Sequence, residues 1–432
     1  MQRWKGTIDL IFDAVEATTN LVEHTHASVA KKAVRPFASV EPLATLVRAV
    51  QAAHDTTAAG AYMTIRAVTR SVKKLLDLGT EPFSEAYSMP SHAPLGLATP
   101  LRSDATSSLS WWIDHTESVV NGFCGDHLSR RQNGLDLGMS LRHQGHLLPL
   151  ERVVLQRSFP EATGKLCVFV HGLKCTEWVW SNSAERFHGD PTVTYGSLLQ
   201  SDLGFTPFYV RYNTGRRVPE NGRLLSTLLT QLVAAYPRKV EEIVLVGHSM
   251  GGLVVRSAAH YGQASGEPWV QRLRHVFSMG APHLGAPLPK ATHVLSDLLG
   301  AFDTAGTQVL AQVLNVRSAG MKDLRFGYTI DEEGENKDPD ALLENHRQTV
   351  PLIDGVGYYA LAATITRGPK HPIGQLLGDL LVRPPSAAGY TPAPRRESPL
   401  LSGYVFGGMH HFDLANHPDV YAFIRQCIED GA

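Results

Sequence analysis

The pentapeptide GHSMG at 247–251 constrains this chain more than any other stretch. It follows an apolar run of strand length at 243–246 and precedes an apolar helical segment at 253–261. A serine between two such glycines, at the step from a strand to a helix, sits on a sharp turn that tolerates almost no flanking side chain. The turn raises the hydroxyl above the sheet edge, and the N-terminus of the following helix favours negative charge there. Ser249 is therefore the candidate nucleophile.

Short apolar runs separated by helical segments fill the chain beyond residue 160. Strand-length runs occur at 166–170, 206–210, 243–246, 276–279, 358–364 and 400–406, and a final helix is expected at 418–428. Strands that are apolar on both faces and alternate with helices indicate a mostly parallel sheet covered by helices on both sides. The expected fold class is therefore α/β. Upstream, residues 137–143 and 147–155 are also predicted to form short strands.

The 432 residues are long enough for more than one domain. Residues 1–80 have the apolar spacing of helices, and 81–110 are rich in Pro, Ser and Thr, which is typical of a linker. Residues 111–432 are predicted to form the α/β domain. An insertion at about 288–356 carries two apolar helical stripes, which fit either a cap over the site or ordinary helices packed on the sheet.

The charge balance limits which classes of partner are expected, and the cysteines and the N-terminal residues indicate the compartment. Lys plus Arg total 40 against 41 for Asp plus Glu, which excludes a dedicated nucleic-acid binder. The basic amphipathic helix predicted at 61–78 fits either peripheral contact with a membrane or, more simply, a solvated outer face. The four cysteines lack paired spacing, and Asp9, Asp13 and Glu16 interrupt any N-terminal apolar segment. A cytoplasmic protein is expected, with peripheral attachment to a membrane as the open alternative.

The oxyanion formed when a serine attacks an ester needs two backbone N–H donors. One is the residue after the nucleophile, here Met250. The other is expected on the loop after an earlier strand, where the 166–170 run continues into His171, Gly172 and Leu173. Gly172 lets the backbone turn inward, so the amide of Leu173 is the second predicted donor. His171 is expected to brace this loop by hydrogen bonding and not to act as a base.

The acid and the base should follow the serine in the order Asp or Glu, then His. Asp379 leads among the acids because it lies on a glycine-preceded turn beyond the 358–364 strand, whereas Asp354 precedes that strand. The base is expected just after the last strand, where His410 and His411 are adjacent candidates.

The late histidines also raise the question of a metal. His410, His411 and His417 do not have a recognised ligand spacing, and the chain contains no HExxH motif. Neither a metal nor an organic cofactor is expected.

Five ordered motifs resemble bacterial lipases and esterases of the α/β-hydrolase superfamily, above all the type whose domain is similar to GPI inositol-deacylase. They are VFVHGL at 168–173, GHSMGG at 247–252, MGAPHLGAP at 279–287, GDLLV at 378–382 and HFDLANHPDVY at 411–421. The resemblance implies Ser249, Asp379 and His411 as a catalytic triad, with Leu173 and Met250 as oxyanion donors. It favours His411 over His410 as the base.

The sequence differs from the motif of the family at one position, and the resemblance does not identify the substrate. Leu380 stands where the acid motif of the family usually has a second glycine, while Ser386 and Ala387 agree with its continuation. The expected activity is hydrolysis of a small-molecule or lipid carboxylic ester through an acyl-enzyme. The alternatives are a thioesterase or polyester depolymerase with the same triad, and a non-catalytic scaffold of the same fold.

Overall fold

The computed structural model describes most of the region beyond residue 104. The described residues are 6, 9, 10, 12, 13, 105–285, 318–334, 350–369, 371, 378–379, 381–387 and 402–431. The predictions for nearly all of the helical region 1–80, for the basic helix 61–78 and for most of the linker and cap lie outside them. The sheet and the site below belong to one compact unit of residues 99–129, 136–302 and 317–432.

A single sheet of eight strands organises this unit, in the order β2-β1-β4-β3-β5-β6-β7-β8. The strands are β1 Met139–His143, β2 His146–Leu147, β3 Lys165–Val170, β4 Thr206–Tyr212, β5 Glu242–His248, β6 Leu273–Met279, β7 Gly357–Thr364 and β8 Ser402–Gly407. β1 runs antiparallel to both β2 and β4, whereas all pairs from β4 to β8 are parallel. The mostly parallel sheet predicted from the apolar runs is confirmed.

Helices connect the strands and cover the sheet. They are α1 Ala105–Arg130, α2 Arg152–Ser158, α3 Ala184–His188, α4 Tyr195–Leu203, α5 Val218–Ala235, α6 Met250–Ala264, α7 Ala319–Phe326, α8 Asp331–Gly334, α9 Pro384–Ala387 and α10 Pro418–Asp430. Short 3₁₀ turns occupy Glu177–Ser181, Pro268–Arg272 and Asp413–Ala415. The first six residues of α1 fall within the predicted linker.

Both faces of the sheet are buried, as the continuous apolar runs predict. In β3, Leu166, Val168 and Val170 join an apolar cluster with residues of α5 and α6. The alternate residues Cys167 and Phe169 join a second cluster with residues of α4 and α10. Successive side chains of a strand point to opposite faces, so helices pack against both sides of the sheet.

The predicted strand at 147–155 is wrong. The structure forms only the short β2 there and then α2, in which the amide of Leu155 donates to the carbonyl of Glu151 at 2.9 Å. Leu155 is fully buried while Val153 is 58% exposed. Burial of one residue per turn is the pattern of a surface helix, and a short apolar run such as VVL does not separate helix from strand by period.

The described part of the predicted cap insertion contains α7, which is fastened to the body of the domain. Oδ2 of Asp323 accepts from the amide of Val218 at 2.9 Å and pairs with Nε of Arg217 at 3.3 Å. At the start of α7, the hydroxyl of Ser318 donates to the carbonyl of Gly122 at 2.7 Å. These bonds tie α7 to α1 and α5.

Among the described residues, no helix is both long enough and apolar enough to cross a membrane.

Candidate active site

Ser249 lies between β5 and α6 in a conformation that side chains rarely adopt. Its φ is +54° and its ψ is −122°, and its amide donates to the carbonyl of Met279 at 2.7 Å. Such a backbone is strained for any residue with a Cβ and is found mainly where function requires it. The side chain is only half-buried, so the turn presents the hydroxyl at the carboxyl edge of the sheet.

The flanking glycines are required because the backbone closes tightly around this turn. A Cβ on Gly247 would lie 2.5 Å from the carbonyl carbon of Gly251. A Cβ on Gly251 would lie 2.7 Å from the carbonyl oxygen of His171, at the end of β3. The two glycines therefore let the nucleophile turn pack directly against the neighbouring strand, as the motif predicts.

The predicted oxyanion loop lies against the nucleophile turn. β3 and β5 pair with Val170 opposite Gly247, so both strands end at the same level. A Cβ on Gly172 would lie 2.9 Å from the Cβ of Ser249. Leu173 follows Gly172 and packs, half-buried, against the core. A backbone hydrogen bond within the loop stabilises it, since the amide of Cys175 donates to the carbonyl of Gly172 at 3.2 Å.

Met250, the other predicted donor, is the first residue of α6 and is fully buried. The first amides of a helix have no acceptor within the helix, and the macrodipole adds partial positive charge at this end. The structure therefore places both predicted donors, Leu173 and Met250, next to Ser249. Beside this hydroxyl, they are near the place where the carbonyl oxygen of an attacked ester would gain negative charge.

Asp379 and His411 form a buried pair. Nδ1 of His411 lies 2.7 Å from Oδ2 of Asp379, and both side chains are almost fully inaccessible. The other carboxylate oxygen, Oδ1, accepts from the amides of Leu381 and Val382 at 3.0 and 2.8 Å. Two backbone donors fix the position of the carboxylate, so its other oxygen is oriented toward Nδ1 of the imidazole.

The His411 ring lies close to the nucleophile turn, 4.7 Å from the ring of His248 between centroids. Its Nε2 is buried and has no hydrogen-bond partner among the described residues. A Cβ on Gly280 would lie 2.8 Å from Cε1 of this ring, and Gly280 follows Met279, whose carbonyl binds the amide of Ser249. The amide of Ser249 and the imidazole of His411 therefore both contact the Met279–Gly280 segment.

The adjacent histidine has a different environment. His410 is exposed, and its amide donates to Oδ2 of Asp413 at 2.9 Å. The alternative acid Asp354 is also exposed. Of the sequence candidates, the structure brings Asp379 and His411 together and leaves His410 and Asp354 at the surface. Leu380 lies outside the described residues.

His171 contacts the loop that follows it in the chain. Its Nδ1 lies 2.9 Å from the carbonyl oxygen of Gly172, and its ring stacks on Tyr212 with centroids 4.6 Å apart. Burial lowers the pKa of His171 to about 3, so the ring stays neutral at ordinary pH. These contacts agree with the bracing role expected from the sequence.

Sequence reasoning missed a buried cation beside this loop. Lys174 has a φ of +60°, is only 7% exposed, and holds its Nζ over the ring of Phe123, 3.1 Å from the centroid. Its Nζ has no hydrogen-bond acceptor among the described residues. Burial lowers the pKa of Lys174 to about 7. No sequence signal marks this lysine, because its burial depends on α1, far away along the chain.

A buried ion cluster lies under the segment that follows the loop. Arg211 on β4 is fully buried, and its Nε donates to Glu177 at 2.7 Å while its Nη1 pairs with Asp114 at 2.6 Å. Glu177 begins the 3₁₀ turn after the oxyanion loop, and Asp114 lies on α1. The cluster therefore joins the sheet, the loop region and α1 through one guanidinium.

The remaining motifs lie around the triad residues. The hydroxyl of Ser386 donates to the carbonyl of Gly285 at 2.7 Å and accepts from the amide of Leu284 at 3.2 Å, which ties the acid motif to the MGAPHLGAP loop. Within the part of the chain that the structure describes, no group of three or more His, Cys, Asp or Glu side chains could hold a metal ion.

Comparison with known proteins gives one family match and several distant structural likenesses. Residues 162–336 match the family described as PGAP1-like alpha/beta domain. No curated protein sequence matches the chain. The chain is similar to the mature lipase BlEst2 of Bacillus licheniformis, with 18% identity, a TM-score of 0.38, and coverage of 61% of this chain and 91% of that one.

Two further solved structures are also similar at low sequence identity and low TM-score. The RedJ thioesterase of the prodiginine biosynthetic pathway of Streptomyces coelicolor is 16% identical, with a TM-score of 0.35 and coverage of 62% and 91% of the two chains. The naproxen esterase of Bacillus subtilis is 12% identical, with a TM-score of 0.32 and coverage of 62% and 82%. The family match over residues 162–336 and the mostly parallel sheet together confirm the resemblance and the α/β fold that the motifs indicated.

Proposed function

We propose that this chain is a serine hydrolase of carboxylic esters that uses Ser249, His411 and Asp379. The observation that carries the proposal is the buried pair of His411 and Asp379, whose Nδ1 and Oδ2 atoms are 2.7 Å apart, beside the strained turn of Ser249. A pair of this kind with a free Nε2 is the arrangement by which an imidazole accepts a proton from a serine hydroxyl.

In the proposed mechanism, Nε2 of His411 takes the proton of Ser249 as Oγ attacks the ester carbonyl. Asp379 holds the ring by Nδ1 and stabilises its charged form, while two backbone amides hold the other carboxylate oxygen in place. The amides of Leu173 and Met250 bind the oxyanion. The protonated imidazole then donates to the leaving alcohol, and a water deprotonated by the same ring hydrolyses the acyl-enzyme.

The substrate class follows from the proposed chemistry, whereas a cytoplasmic compartment is proposed from the sequence alone. A small-molecule or lipid ester is the proposed substrate, and peripheral membrane contact through residues 61–78 is a proposal that rests on the sequence pattern alone. Removing residues 1–80 and measuring co-sedimentation with anionic liposomes tests the membrane contact. Unchanged sedimentation would exclude it.

Hydrolysis of p-nitrophenyl esters with short, medium and long acyl chains tests the proposed activity. Wild-type protein should release p-nitrophenol, while Ser249→Ala should reduce the rate to background at every chain length. Ser201, an exposed serine on α4, supplies the matched control, and Ser201→Ala should retain the wild-type rate. Full activity in Ser249→Ala would overturn the proposal. Absence of hydrolysis and of fluorophosphonate labelling in the wild type would favour the non-catalytic scaffold.

A further inference from the structure

His248, the residue before the candidate nucleophile, is a buried titratable group that the proposed mechanism does not use. Its side chain is fully inaccessible, and burial lowers its pKa to about 3. The ring is therefore neutral at ordinary pH, with a proton on only one nitrogen. It packs against the ring of His411, with centroids 4.7 Å apart and an angle of 52° between the planes.

The position of that proton follows from the hydrogen bond that the ring makes. Nε2 of His248 lies 3.0 Å from the backbone carbonyl oxygen of His411. A carbonyl oxygen only accepts, so Nε2 carries the hydrogen and donates it. Nδ1 then holds the lone pair. A Cβ on Gly172 would lie 3.4 Å from Nδ1, so this side of the ring faces the oxyanion loop.

The peptide groups on both sides of His411 are thereby fixed. Its amide donates to the backbone carbonyl of Asp379 at 3.2 Å, and its carbonyl accepts from His248. With the Nδ1 bond to the carboxylate of Asp379, three hydrogen bonds define where the imidazole stands. Two come from the acid, and the third comes from the strand that carries Ser249.

We propose that His248 is a positioning residue for the reaction: its Nε2–H holds the backbone of His411 so that the imidazole stays between Asp379 and Ser249. This inference rests on the proposed function. Because His248 is covalently joined to Ser249, the bond couples the position of the base to the position of the nucleophile. Trp180 and Phe412 surround the ring, with centroids 6.4 and 5.9 Å away, and keep it in this orientation.

Two substitutions of His248 separate the effect of losing the hydrogen-bond donor from the effect of losing the volume of the ring. His248→Met retains a buried apolar side chain but removes the donor, whereas His248→Gln retains an N–H donor at a similar distance from the backbone. We expect His248→Met to lower kcat about 10- to 100-fold, since a displacement of about 1 Å in a reacting group costs roughly that much, with KM within about twofold. His248→Gln should recover most of the loss.

The measurement is kcat and KM for a p-nitrophenyl ester, with kcat expressed per active site titrated by a fluorophosphonate, so that unfolded molecules are not counted. The controls are His146→Met and His146→Gln, because His146 is exposed on β2 at the far end of the sheet. Both controls should retain the wild-type kcat.

The possible outcomes distinguish this inference from the proposed function. If wild-type protein neither hydrolyses the ester nor reacts with the fluorophosphonate, the proposed function fails and the role of His248 fails with it. If wild-type protein is active and His248→Met has the wild-type kcat, only the role of His248 is overturned. An equal loss of kcat in His248→Met and His248→Gln also overturns it, because the donor would then not be what matters.

Discussion

Nδ1 of His411 lies 2.7 Å from Oδ2 of Asp379, although the two residues are 32 positions apart and come from different loops. The amide of His411 also donates to the backbone carbonyl of Asp379 at 3.2 Å. The loop after β7 and the loop after β8 are therefore joined through both side chain and backbone at these two residues. This double contact selects His411 over its neighbour His410.

Replacing Asp379 tests the acid. Asp379→Asn preserves the shape of the side chain but removes its charge, so it no longer stabilises the imidazolium or selects the required tautomer. We expect kcat to fall by about 10³- to 10⁴-fold. Kinetics of ester hydrolysis measure this. Asp354→Asn is the matched control at the exposed alternative acid and should leave kcat unchanged; a comparable loss there would contradict the assignment.

Gly172 tests the oxyanion loop. Gly172→Ala would place a Cβ 2.9 Å from the Cβ of Ser249 and 3.3 Å from the carbonyl oxygen of His248, so the loop must move. Loss of one aligned oxyanion donor costs about 10²- to 10³-fold in kcat. We expect a decrease of that size, measured in the same ester assay.

The control for this substitution is a glycine with room for a side chain. Around Gly368, the nearest atom to an added Cβ is 3.9 Å away. Gly368→Ala should therefore keep the wild-type kcat. Normal activity in Gly172→Ala would show that the loop does not contribute to the reaction as described.

Lys174 gives the stability of the domain a specific pH dependence. Its pKa is lowered from 10.5 to about 7 in the folded protein by burial, so between these values the unfolded chain binds more protons than the folded one. The free energy of unfolding therefore rises with pH across this window. Lys174→Met removes this contribution.

The stability of wild type relative to Lys174→Met should accordingly increase by about 3 to 4 kcal/mol between about pH 6 and pH 10, at about 1.4 kcal/mol per pKa unit. Urea unfolding at several pH values measures the difference. The exposed Lys239 is the control, and Lys239→Met should follow the wild-type curve at all pH values. Parallel curves for wild type and Lys174→Met would contradict the prediction.

Arg211 tests the buried ion cluster. Arg211→Met leaves Glu177, which is 7% exposed, and Asp114 without their shared cation. Removing one member of a buried ion pair typically costs about 3 to 5 kcal/mol, because the remaining charge is uncompensated. Urea unfolding should show a loss of this size. Arg425, whose partners Asp202 and Glu429 lie at the surface, supplies the comparison. Arg425→Met should leave stability close to that of the wild type.

The mostly parallel sheet and the nucleophile turn were predictable because local sequence patterns dictate them. The glycines around Ser249 are required by contacts within a few residues and across one strand pair, so a short motif is sufficient to predict the turn. The parallel sheet follows from strands that are apolar on both faces. The segment 147–155 was predicted wrongly because three consecutive apolar residues fit a helix and a strand equally.

Contacts between distant parts of the chain were not predictable from the sequence. Arg211 is 34 residues from Glu177 and 97 from Asp114, and nothing in the sequence joins them. The burial of Lys174 likewise depends on α1. His410 and His411 are adjacent and chemically identical. The folded backbone turns only His411 toward Asp379, and a single sequence does not determine this choice.

The identity of the residue that reacts covalently is the most direct test of the account. Wild-type protein treated with a fluorophosphonate and analysed by peptide mass spectrometry should carry one adduct, on Ser249. Ser249→Ala should carry none, and Asp379→Asn should label much more slowly because the base is no longer oriented. An adduct on a different serine, or undiminished labelling of Ser249→Ala, would contradict the account.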